Sequence, residues 1–105
     1  MRNLLILAVI LSAGLAVPAE GAEQRVVMKG MAFSPAQFSV KAGDTVIWVN
    51  DDFVNHTATA TAKQFDVVIP AHSQKNMIAT EAGTFDYFCR FHPMMKGRMQ
   101  VDPKP

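Results

Sequence analysis

Cysteine is nearly missing from this chain. It has one, Cys89, so no internal disulfide can form and the fold must hold through packing and hydrogen bonds. Net charge is nearly missing too, at +1. A chain with no large field of either sign is a poor electrostatic match for nucleic acid or an anionic membrane surface. Sustained helical periodicity is absent: no stretch of a dozen residues repeats its apolar positions at helical spacing, so little helix is expected. Repeats, low-complexity tracts and internal linkers are also lacking. With 105 residues there is room for a single domain.

The one long apolar run is at the start, in MRNLLILAVILSAGLAVPA. Arg2 gives a positive end, Leu4 to Leu15 are apolar, and Val17-Pro18-Ala19 are small residues before Glu20. This layout predicts a secretory signal peptide over residues 1–19, cut after Ala19 or else after Ala22. The run is short for a membrane span, which needs roughly 20 residues. No stable membrane association is expected of the remainder, residues 20–105, read as one exported domain. Losing Arg2 leaves nine of ten basic residues against nine acidic ones, a neutral mature protein.

What the mature chain does have is short apolar segments punctuated by turn residues about every ten positions. The pattern predicts strands at Arg25–Met31, Gln37–Lys41, Thr45–Asn50, His56–Ala62, Phe65–Ile69, Gln74–Thr80, Thr84–Cys89 and Gly97–Val101. Seven or eight short strands in so small a domain predict an all-β fold, an antiparallel Greek-key β-sandwich. Trp48 and most phenylalanines are assigned to its core.

An unpaired thiol in an exported protein is a hazard unless something uses or shields it. Cys89 lies in FCRFHPMM, with His92 three residues on and Met95 three beyond that. The strand pattern puts His92 and Met95 on a connecting loop, where sites are commonly built. Thiolate, imidazole and thioether are donors suited to copper rather than calcium or magnesium, and a structural zinc site would show more cysteines. His56, opening the HTATATA segment, is the natural second imidazole. Two imidazoles and a thiolate with a weak axial thioether make a blue-copper electron-transfer centre. Met94 competes with Met95 for the axial place, because the two thioethers are adjacent and chemically equivalent. His72 has no matching partner and reads as a solvated loop residue. Asn50 and Thr57 are candidates to brace the ligand segments.

The residues that carry this reading also carry a family resemblance. FSPAQFSVKAGDTVIWVN, the D-x-x-x-H-T segment from Asp52 to Thr57, and EAGTFDYFCRFHPMMKGRMQV resemble the cupredoxins of the plastocyanin/amicyanin type. The Cys-x-x-His-x-x-Met spacing is similar to the amicyanin loop. The resemblance implies a cupredoxin-like sandwich with one copper ion held by His56, Cys89, His92 and Met95. It also implies a periplasmic electron carrier for transient redox protein partners, acting as a monomer and not as an enzyme. The exposed edge of His92 would pass the electron, with Phe53, Pro93 and Met94 as an apolar docking rim and Arg90, Lys96 and Arg98 as a basic border. The alternative role is copper tolerance or delivery, which the same ligands could serve. A cysteine-nucleophile enzyme is the third reading, opposed by the lack of a substrate cleft in so small a domain. Many relatives have proline where this chain has Phe91. Its backbone N–H, with that of Thr57, is expected to donate to the Cys89 sulfur.

Overall fold

The computed structural model describes residues 21–105; the expected signal peptide over residues 1–19 lies outside them. The described chain contains nine strands, β1 (Glu23–Lys29), β2 (Ala32–Ser34), β3 (Gln37–Lys41), β4 (Thr45–Asn50), β5 (His56–Ala60), β6 (Asp66–Ile69), β7 (Gln74–Ile78), β8 (Gly83–Cys89) and β9 (His92–Asp102). They form a four-stranded sheet, β2-β1-β4-β7, and a five-stranded sheet, β3-β9-β8-β5-β6. β3 and β4 begin and end where the sequence predicts, β3 from its alternation and β4 from its β-branched and aromatic run.

Three features differ from the expectation. The count is nine rather than seven or eight, because β2 is only three residues long and too short to show a period. It pairs back on β1 through Gly30 and Met31, both at positive φ, 61° and 62°, a conformation that matches the twist of a tight hairpin. The sheets are mixed rather than antiparallel, with β1 parallel to β4 and β3 parallel to β9. Side-chain alternation reports which face is buried but not which way a neighbour runs, so direction was not legible. The third difference, at the start of β9, concerns the site and is described below.

The core follows from period-two patterning. Val26 and Met28 of β1, Val46 and Trp48 of β4, Phe85, Tyr87 and Cys89 of β8, and Met95, Met99 and Val101 of β9 belong to one buried cluster. At its centre Trp48 meets Tyr87 edge to face at 5.2 Å and Phe33 at 6.2 Å, while Phe33 meets Tyr87 at 4.9 Å. These are favourable orientations of aromatic quadrupoles. Gly97 lies opposite Tyr87 in the β8–β9 ladder, and a Cβ there would run into the Tyr87 ring. Glycine at 97 therefore lets the ring approach the backbone of β9 closely.

Candidate metal centre

β5 lies inside its sheet, between β8 and β6, and all five of its residues are buried. Alternation turns Ala58 toward the core along with His56, whereas Thr57 and Thr59 point to the opposite face. His56 has no exposed surface. Its Nε2 lies 2.7 Å from Asp52 Oδ2. An ionised carboxylate only accepts, so the imidazole proton resides on Nε2 and the Nδ1 lone pair is free. Asp52 is itself fixed by the Gly30 and Met31 amides, which donate to its two oxygens at 2.9 and 3.3 Å. The His56 hydrogen bond foremost, and then those amides, hold its carboxyl below the ordinary value against the opposing effect of burial.

Cys89 ends β8 with its side chain fully buried. Its Sγ lies 3.7 Å from His56 Nδ1 and 3.6 Å from His92 Nδ1. The three donor atoms fall within 4.8 Å of one another, and the two imidazole rings meet at 69° with centroids 5.1 Å apart. The Thr57 amide donates to the sulfur at 3.3 Å.

The expected loop carrying His92 and Met95 is instead the first part of β9. Cys89 pairs directly with His92 across the two-residue turn Arg90–Phe91, whereas Phe88 pairs with Lys96. One step along β8 thus spans four along β9, and Pro93, Met94 and Met95 lie opposite no residue of β8. Such an irregularity redirects side chains that a regular strand would alternate. It leaves His92 half-buried beside Cys89, Met94 90% exposed and Met95 2% exposed within the same buried cluster as Cys89. Burial therefore separates the two methionines, which residue type alone does not. The expected second donor to the sulfur does not appear: Sγ meets Thr57 N–H and the two Nδ1 atoms, but not the Phe91 amide.

Asn50 braces the segment ahead of His56. Its Nδ2 donates to the Val54 and Ile69 carbonyls at 2.8 and 2.9 Å, and its Oδ1 accepts the Asp52 amide at 2.9 Å. Asp52 enters the sequence reading only as the first residue of the D-x-x-x-H-T segment, with no role assigned, and Asp66 does not enter it. The cue for Asp52 was its place four residues before His56; nothing local to Asp66 points to the site. His72 is exposed, edge-on to Phe53 at 4.7 Å.

The donor set fits copper. One thiol sulfur and two imidazole nitrogens converge from three strand ends, with a thioether residue buried beside them and no carboxylate among the converging atoms.

Residues 3–101 match the family model of the cupredoxin-like domain. Over 78 residues the chain is 32% identical to amicyanin of Paracoccus denitrificans, covering 69% of this chain and 60% of that protein. Over 83 residues it is 31% identical to amicyanin of Paracoccus versutus, covering 73% and 63%. The matched segments thus span under two thirds of the length of both relatives. Among solved structures, the reduced state of an amicyanin variant with phenylalanine in place of a proline superposes with a TM-score of 0.66 at 31% identity, covering 81% of this chain and 86% of that one. The Cu(I) form of an amicyanin variant with alanine in place of a methionine superposes with a TM-score of 0.69, at the same identity and coverage.

Proposed function

The chain belongs to the cupredoxin-like family, and from that premise we propose that it is an exported, periplasmic blue-copper protein that carries single electrons between redox partners. The observation that carries this reading is the convergence of His56 Nδ1, Cys89 Sγ and His92 Nδ1. In this reading those three atoms and the Met95 thioether hold one copper ion per chain. Bound there, copper supplies a one-electron couple between Cu(I) and Cu(II).

The protein's part is to hold these donors still. Asp52 fixes the His56 tautomer so that Nδ1 keeps its lone pair for the metal. The Thr57 amide stabilises negative charge on the Cys89 sulfur. Donors held in place by such hydrogen bonds need little rearrangement when the charge of the metal changes. His92 is only partly buried; Phe91 and Met94 expose apolar surface within two residues of it in the chain, and Phe53 does so three residues before His56, the kind of surface that suits brief docking. With four protein ligands on the ion no position would be open to substrate, so the role is carriage rather than catalysis.

Adding Cu(II) to the purified mature protein tests the reading. It should give an intense blue colour at one ion per chain, and Cys89→Ser should abolish that colour while leaving the fold intact. A colourless wild-type protein would overturn the proposal. Met95→Ala should alter the copper spectrum and potential while Met94→Ala leaves both unchanged; the reverse result would assign the axial place to Met94. A blue protein that gives up its copper readily and exchanges electrons slowly would instead favour copper delivery.

A further inference from the structure

We propose that Asp66 and Arg90 are positioning residues for the copper site, closing a hydrogen-bond ring through Thr57 and Thr59, both arms of which run from Arg90 to Asp66, that clamps the backbone beside His56 to the backbone beside Cys89. The inference rests on the copper reading above.

The direction of its longer arm, through the two threonines, follows from the chemistry of its members. Thr59 Oγ1 donates to Asp66 Oδ1 at 2.6 Å. A hydroxyl has one hydrogen, so Thr59 has none left for Thr57. In the 2.8 Å contact between the two hydroxyls, Thr57 must therefore be the donor. With its own hydrogen committed, Thr57 Oγ1 accepts the Arg90 amide at 2.8 Å. The Arg90 guanidinium then returns to Asp66, Nε to Oδ1 at 3.0 Å and Nη2 to Oδ2 at 3.2 Å. The ring starts and ends on the residue that follows Cys89. Its inner members, Thr57 and Thr59, are buried; its outer members, Asp66 and Arg90, are about half exposed.

Its location gives the ring a purpose. The β5–β8 ladder pairs Ala60 with Tyr87 and Thr59 with Phe88, and there it stops. Two residues further in the same register, Thr57 would oppose Arg90. The Thr57 hydroxyl takes the Arg90 amide in place of a ladder partner at that point. The two strands part there, where the imidazole of His56 and the sulfur of Cys89 need room, yet remain tied. The Thr57 amide, free of the ladder, points at the sulfur. Chains of hydrogen bonds that all run one way polarise each other, and the carboxylate of Asp66 anchors this one.

The same sheet supplies a control. Asp86 and Arg98 face each other across β8 and β9, with Arg98 Nε donating to Asp86 Oδ1 at 2.7 Å. That pair is as exposed as Asp66 and Arg90 and has no link to Thr57 or Thr59.

The test compares wild type with Asp66→Ala, Thr59→Val, Asp66→Asn and Asp86→Ala. Amide exchange is read by NMR on the metal-free protein, and the visible spectrum and reduction potential on the copper-loaded protein. Asp66→Ala and Thr59→Val should each speed exchange at Arg90 and Thr57 by about fivefold, the equivalent of one ordinary hydrogen bond. Both should shift the copper band and lower the potential, because a weaker Thr57 N–H···S contact leaves more sulfur charge to donate to Cu(II). Combining them should add little further, and Asp66→Asn, which keeps an acceptor for Thr59, should recover most of the effect. Asp86→Ala should move none of these quantities. If the two ring variants match Asp86→Ala in exchange, or change exchange without moving band or potential, the positioning role is overturned. A wild-type protein that never turns blue would overturn the copper reading instead, while the exchange measurement still decides whether the ring exists.

Discussion

Two buried regions of this domain handle polar atoms in opposite ways. Around Trp48 the interior is aromatic and aliphatic, and it leaves Trp48 Nε1 and Tyr87 Oη without a hydrogen-bond partner from the described protein. At the ligand end, Asn50, His56, Thr57 and Thr59 are as deeply buried, and each has its polar side chain engaged. The first region needs cohesion, which apolar area and close packing supply without fixing any atom to a tenth of an ångström. The second must hold three donors from separate strand ends at set distances, and directional bonds do that where packing alone does not.

Truncating the centre of the aromatic region should have the largest effect on stability. Trp48→Ala should cost about 3–5 kcal/mol, the usual range for emptying such a site, measured as a shift in the chemical denaturation midpoint. The blue colour of the folded fraction should survive, and its loss would show that the two regions are not separable. Asn50→Ala should reverse the balance. It should cost about 1–3 kcal/mol, since it strips the buried Ile69 carbonyl of its donor, and it should move the copper band, because Asn50 ties the Asp52 segment to β6.

Tyr87→Phe should be the mildest, within about 1 kcal/mol, because the hydroxyl it removes has no protein partner to lose. Its signature is in the pH dependence. Burial pushes the Tyr87 hydroxyl well above its ordinary value, so the folded state keeps the proton after the unfolded chain has released it. The wild-type stability should be full below about pH 10 and fall as pH rises past it, toward the raised folded value. Tyr87→Phe should lose that part of the alkaline decline. Denaturation midpoints at about pH 8 and about pH 11 read the difference, and an identical decline in both proteins would refute it.

Much of the fold was legible because strand and face are local properties. Thr45–Asn50 is a β-branched and aromatic run between turns, and it forms β4 over the same residues. The three-residue β2 carried no period to read. The sequence places the start of β9 in a loop for a similar reason: Pro93, Met94 and Met95 break the alternation, and the strand pattern resumes only at Gly97. Cys89 and His92 were legible as a pair, since three residues' spacing on a tight turn brings donors together almost regardless of fold. His56 was legible only as the best available second imidazole.

The amino-acid order by itself determined that this is a small all-β domain with one cluster of soft donors suited to copper, because residue type and short spacing carry that information. The fold alone decided which of two adjacent methionines is buried, since that depends on a register jump between β8 and β9. It alone placed Asp52 on His56 and withheld the Phe91 amide from the sulfur. It alone joined Asp66 to Arg90, 24 residues apart. Contacts between distant segments follow from how strands pair across the sheets, and nothing in either segment's own sequence states that pairing.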